Sequence, residues 1–207
     1  MRKRKIMLLV LAFLLFVLNG CGKAQKEQEQ EPSDTGAYNV VDVKKDGSVI
    51  NTIEEPFEQE YYSEERLKDL ILSEVADYNQ EAGESRVEVK KLSIKKNAVK
   101  LVMKFKTAED FGAFNQHAFF YGTVSDAYDA GYDMDIAWKE NGGDGSITKA
   151  ELLEMGSRKL IIAEGFQKED IIVKASGKIL YTGGAAQAEG KDTAVFPQQE
   201  LSYLVCK

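Results

Sequence analysis

The sequence predicts an α+β fold, a mainly antiparallel sheet with one long amphipathic helix and several short helices. Three observations carry this. Asp46-Gly47 stands between two β-prone runs, a hairpin signature because both turn residues tolerate positive φ. Leu67, Leu70, Ile71, Val75 and Tyr78 recur at spacings of three and four, the period of one helix face. Val99, Leu101, Met103 and Phe105 alternate with Lys100, Val102, Lys104 and Lys106, the period of a half-buried strand.

In chain order, Val41 and Val43 enter the Asp46-Gly47 turn, Val49 and Ile50 leave it, and Pro56 ends the second strand. Ser63 is placed to cap the long helix, with Glu64 and Glu65 at the positive end of its dipole. The helix runs from Ser63 to about Glu81, and Gly83 stops it. Val87, Val89, Leu92 and Ile94 form the next strand; its phase slips by one at Lys90-Lys91, which predicts a bulge. Asn97 marks a turn. Thr107 caps a short helix through Phe111 and Phe114. Phe119 to Val124 reads as either strand or loop, and Ser125 as the cap of another helical turn before Gly131. Further strands are expected at Leu160 to Ala163, Ile171 to Lys174, Lys178 to Thr182 and Leu201 to Cys206.

The N-terminus carries a different signal. Arg2-Lys3-Arg4-Lys5 is a basic n-region, and Ile6 to Leu18 is an unbroken apolar h-region, shorter than the ~20 residues a membrane span needs. It ends in Leu18-Asn19-Gly20-Cys21, which resembles the lipobox of bacterial lipoproteins. The resemblance implies cleavage by signal peptidase II between Gly20 and Cys21 and a diacylglycerol on the Cys21 thiol. Asn19 departs from the Ala, Ser or Thr usual at that place. Residues 1–20 therefore read as a signal peptide. Residues 21–36 read as a lipidated cysteine followed by a Gln-, Glu- and Lys-rich tether whose composition predicts disorder. Residues 37–207 read as a single α+β domain. The expected location is a cell membrane, lipid-anchored and facing outward. Asp46-Gly47, Tyr61-Tyr62, Tyr78-Asn79, Phe114-Asn115 and Gly122-Thr123 are also similar to features of small exported lipoproteins of Gram-positive, clostridial-type bacteria, a group without an assigned activity.

The formal net charge is −7. Loss of Arg2, Lys3, Arg4 and Lys5 with the signal segment leaves 23 Lys and Arg against 34 Asp and Glu, a net of −11. Such a surface argues against nucleic acid as a partner and adds no affinity for anionic headgroups. The expected partners are a membrane, through the lipid on Cys21, and an extracellular ligand or envelope protein. Cys206 is the only other cysteine; it reads as a small buried residue of the last strand.

Two stretches invite chemistry. Tyr128, Tyr132, Asp133, Asp135 and Trp138 gather aromatics and carboxylates suited to sugars, peptides or cationic groups, in an expected long loop from Tyr128 to Asp144. The same rings could instead pack that loop onto the sheet. From Glu140 to Glu151 the chain partly matches a calcium loop, offering Glu140, Asp144, Ser146 and Glu151 as ligands; Gly142 stands where an oxygen ligand is expected. The competing reading is a glycine turn followed by a capping box, Thr148-Lys149-Ala150-Glu151, opening a helix with Leu152 and Leu153. No cofactor is expected unless that loop takes calcium. His117, the single histidine, with carboxylates such as Asp126, Asp129 or Asp133, is the basis of an alternative reading as a hydrolase of envelope or extracellular polymer. The preferred reading is a noncatalytic binding or interaction module.

Overall fold

The computed structural model describes residues 37–57, 63–95, 98–167 and 169–207. The signal segment, Cys21, the tether, Tyr61-Tyr62 and Asn97 lie outside the described residues. The fold is mixed, with two mainly antiparallel sheets and four helices among the described residues.

β1 (Tyr38–Val43) and β2 (Val49–Pro56) form the expected hairpin, with Gly47 at φ 83 and Asp46 Oδ1 accepting from both the backbone N and the Oγ of Ser48. α1 (Glu64–Ala82) begins at Ser63, whose side chain accepts from Arg66 N, and ends at Gly83 with φ 71. β3 (Val87–Lys95) and β4 (Ala98–Phe105) pair antiparallel, and the register shifts between Val89 and Lys91 at the expected bulge. α2 (Ala108–Asn115) is capped by Thr107, and β5 (Phe119–Thr123) resolves the strand-or-loop ambiguity as strand.

α3 (Val124–Asp129) departs from expectation at its cap. Thr123, not Ser125, is the N-cap; its side chain accepts from Asp126 N while the Asp126 carboxylate accepts from Thr123 N. Thr-x-x-Asp satisfies two orphan donors at once, an advantage Ser125 cannot match. β6 (Trp138–Glu140) and β7 (Ser146–Ile147) form a small hairpin inside the stretch read as a long loop, and α4 (Lys149–Glu154) follows. β8 (Lys159–Glu164), β9 (Ile171–Lys174), β10 (Ile179–Gly184), β11 (Gln187–Ala188), β12 (Thr193–Phe196) and β13 (Leu201–Cys206) complete the chain.

One sheet has the order β11-β12-β9-β1-β2-β4-β3, the other β5-β8-β13-β10-β6-β7. β1 and β9 run parallel, because β9 enters the sheet beside β1 after the chain has crossed from the second sheet. Both sheets point side chains into one core: Val41, Val49 and Phe105 from the first, Ile161, Ala163 and Leu204 from the second. The second sheet is buried on its other face too. Leu160, Ile162, Tyr203 and Val205 pack there against Val124, Ala127, Met134 and Leu152. This explains why β8 and β13 read as continuous apolar runs rather than alternating ones. Among the described residues, the first sheet is covered on one face only. A chain of edge-to-face rings through Tyr78, Phe114, Phe105, Phe111 and Phe119 ties α1, α2 and both sheets together.

Candidate functional site

The segment from Tyr128 to Trp138 is divided between solvent and core. Tyr128 is 49% exposed, and the Lys149 ammonium lies 5.6 Å from its ring centre. Tyr132 is half-buried and stacks obliquely on Phe120 at 5.0 Å. Trp138 is 1% exposed, sets its edge against Tyr203, and donates its indole N–H to the Met134 carbonyl at 3.2 Å. Gly183 permits this: a Cβ there would meet the Trp138 ring at 2.9 Å. Asp133 and Asp135 are exposed, and Asp133 Oδ1 accepts from Asp135 N, tightening the local turn. The structure thus leaves Tyr128, Asp133 and Asp135 in solvent and places Trp138 in the core.

The stretch from Glu140 to Glu151 is a two-strand turn leading into a capped helix. Glu140 N donates to the Gly145 carbonyl at 2.8 Å, and the Glu140 carboxylate lies close over Gly143 and Gly145, where a Cβ would collide with Oε2. Glu151 serves the capping box. Its Oε2 accepts from Thr148 N at 2.7 Å and from Thr148 Oγ1 at 2.8 Å, bonds that hold its carboxyl below the usual range. Asp144 and Ser146 are exposed. Among the described residues no three His, Cys, Asp or Glu side chains gather as a metal-ligand set.

His117 lies at the other end of β5 from Asp126. Its ring packs on Phe166 at 4.7 Å, and its Nε2 contacts the backbone carbonyl of Glu164. Cys206 is buried, and desolvation pushes its thiol up to about 12, so it stays protonated.

Sequence reading missed a polar cluster on the core face of the first sheet, at the end where β1 begins. Asn51 Nδ2 donates to Asn39 Oδ1 at 2.6 Å and to the Val40 carbonyl at 3.1 Å; Asn39 Nδ2 donates to Glu169 Oε1 at 3.0 Å. Glu55, 4% exposed, lies on the same face of β2. Burial and then the charge of Glu169 push its carboxyl up to about 7. Glu169 is also raised by burial, an effect that the Asn39 bond opposes. The only sequence signal was polar residues at inward positions of strands: Asn39, Asn51 and Glu55 share the phase of Val41, Val49 and Ile53.

The face of the first sheet that no described element covers carries its own pattern. Lys100 Nζ donates to Tyr38 Oη and to Glu54 Oε2, each at 3.0 Å, and Tyr38 Oη donates to Glu54 Oε2 at 2.6 Å. These bonds hold Glu54 below the usual carboxylate range. Beside them Val195, Ile172, Val40, Thr52 and Val102 lie in register across five strands. Comparison with protein families, with curated proteins and with solved structures finds no match for this chain.

Proposed function

We propose that the chain is a lipid-anchored lipoprotein, held on the outer face of a cell membrane through a diacylglycerol on Cys21. In this reading its domain at 37–207 is a noncatalytic binding module. The observation that carries it is Leu18-Asn19-Gly20-Cys21 behind a basic and then apolar leader. Two acyl chains give a lasting anchor where one gives a marginal one. The domain supports the reading by its layout. β1 starts at Tyr38, directly after the expected tether, and runs in the interior of the first sheet, so a pull on the tether is borne by strands on both sides.

On the same reading α1 is amphipathic. Ile71 and Val75 are buried and Leu67 packs against the core, while Glu65, Lys68, Asp69 and Asp77 face solvent. The residues open to a partner are Tyr128, whose ring Lys149 flanks, with Asp133 and Asp135. The binding reading is preferred to a hydrolase because His117 engages Phe166 and a backbone carbonyl, at the far end of β5 from Asp126.

The test is Cys21→Ala in the native host. The expected outcome is an unprocessed chain of higher mass that leaves the detergent phase. Wild-type-like processing and partitioning in the variant would refute the anchor. Thermal-shift screening against envelope glycans and peptides tests the module, with Tyr128→Ala as the control expected to lose the shift.

A further inference from the structure

We propose that the open face of the first sheet, across β3, β4, β2, β1 and β9, lies against the surface of an anionic phospholipid bilayer. Its approach to the bilayer rests on the lipid-anchor reading; the contact itself rests on charge and register. Residues 90–106 hold seven lysines and no acidic residue, while the rest of residues 21–207 has 16 Lys and Arg against 34 Asp and Glu. The net charge speaks against anionic headgroups, but the fold segregates it, because β3 and β4 lie side by side at one end of the sheet. Lys100 and Lys104 alternate with the core residues Leu101, Met103 and Phe105, so they stand on the open face. The bulge at Lys90-Lys91 sets Lys91 opposite Val102 on that face. Lys174 joins them from β9, beside Asp42.

The carboxylates that these strands set on the face are already paired: Glu88 with Lys90 at 2.8 Å, Glu54 with Lys100 at 3.0 Å, and Asp42 with Lys44. Among the described residues no ion pair engages Lys91, Lys104 or Lys174. Lysines on an edge strand guard it against pairing with another chain. That accounts for Lys90, Lys91 and Lys95 on β3, but not for Lys100 and Lys104 on β4 or Lys174 on β9, which have strands on both sides. Between the lysines runs the half-buried row of Val102, Thr52, Val40, Ile172 and Val195. Lys100 and Tyr38 flank it on one side, Lys104 and Lys174 on the other. A soluble polyanion would engage the lysines and leave the apolar row wet. A bilayer interface takes both, with aliphatic groups at the headgroup boundary and ammonium groups at the phosphates. β1, in the middle of the face, is also where the tether arrives. Residues 22–37 separate Cys21 from Tyr38, a span of roughly 20 Å for a polar chain, so the anchor holds the face at high effective concentration near the headgroups.

The experiment mixes the full-length protein with vesicles of phosphatidylcholine alone or of phosphatidylcholine with phosphatidylglycerol, acetylates exposed amines, and reads each lysine by mass spectrometry. Lys91, Lys104 and Lys174 are expected to label roughly fivefold or more slowly with the anionic vesicles. They should recover at ~1 M salt, where the screening length falls to about 3 Å. Lys149 in α4, on the far side of the second sheet, is the control expected to label alike with both. Substituting Lys91→Gln, Lys104→Gln and Lys174→Gln together is expected to erase the difference at Lys100 while the protein still floats with both vesicles. Equal labelling of the wild type with both vesicles overturns the contact, and flotation with phosphatidylcholine alone then leaves the anchor standing. Flotation only with the anionic vesicles, lost in the triple variant, overturns the anchor and upholds the contact. Protection by soluble polyphosphate without any from phosphatidylglycerol overturns the contact and assigns the lysines to a polyanionic polymer.

Discussion

Arg86 Nη1 donates to Asp110 Oδ1 at 3.3 Å, joining the start of β3 to a carboxylate that is 2% exposed at the head of α2. Tyr78 Oη donates to the same oxygen at 3.1 Å, and Thr107 Oγ1 donates to the other at 2.8 Å. Asn79 completes the junction. Its Oδ1 accepts from Arg86 N and Val87 N, and its Nδ2 donates to the Val87 carbonyl, so its side chain acts as a strand neighbour for β3. Three elements distant in sequence are locked at this point, and Tyr78-Asn79 is its hinge pin.

Asp110→Ala therefore takes away the acceptor that Arg86 and Tyr78 share and part of the α2 cap, while Arg86 keeps its 3.0 Å ion pair with Glu84. Because Arg86 is partly exposed and keeps Glu84, the expected loss is that of the lost hydrogen bonds and cap, ~1–3 kcal/mol. Urea denaturation checks it, and a loss below about 1 kcal/mol contradicts the junction's role.

Stability should fall as pH rises. Glu55 titrates near 7 in the fold, against its ordinary 4.5. Below the lower value the carboxyl is protonated folded or unfolded, and the stabilisation is complete. Between the two values the unfolded chain releases its proton first, so stability drops until pH passes the folded value and then levels off. Glu169, also raised, acts in the same direction. The ceiling for Glu55 is about 3 kcal/mol. Denaturation at about pH 5 and about pH 8 measures it. Glu55→Gln should flatten most of the difference, whereas an unchanged profile in that variant assigns the slope elsewhere.

Gly183→Ala should overpack the second sheet. The new methyl meets Trp138 at 2.9 Å and Ile136 Cδ1 at 2.8 Å, and an indole wedged against Tyr203 has no room to yield. The expected cost is ~1–3 kcal/mol. As the chain has one tryptophan, its emission reports the site directly. Unperturbed emission together with unchanged stability would argue against the packing described.

Glu151→Ala removes the reciprocal half of the capping box. A small fall in the melting midpoint is expected, with the helix start fraying first in hydrogen exchange.

Local chemistry was the legible part of the chain. Ser63, Thr107 and Thr148 act as caps, Gly83 stops α1, and Lys90-Lys91 bulges, because each effect is decided within four residues. Thr123-x-x-Asp126 carries the same information, and its reciprocal bonds win over the cap that Ser125 suggests. β6, β7 and β11 are two or three residues long, too short to show a period, and β12 was missed with them. Trp138, an aromatic among aspartates and glycines, reads alike on either face of a loop, so its burial is not legible locally. The Asn39–Glu169 bond spans 130 positions and depends on the parallel β1–β9 pairing, which no local pattern announces.

The lipid anchor is tested most directly by mass spectrometry of the N-terminal peptide from detergent-phase protein. The expected result is a mature N-terminus at Cys21 with a diacylglycerol thioether on Sγ. A free Cys21 thiol within a chain still carrying Arg2 to Gly20 would contradict it.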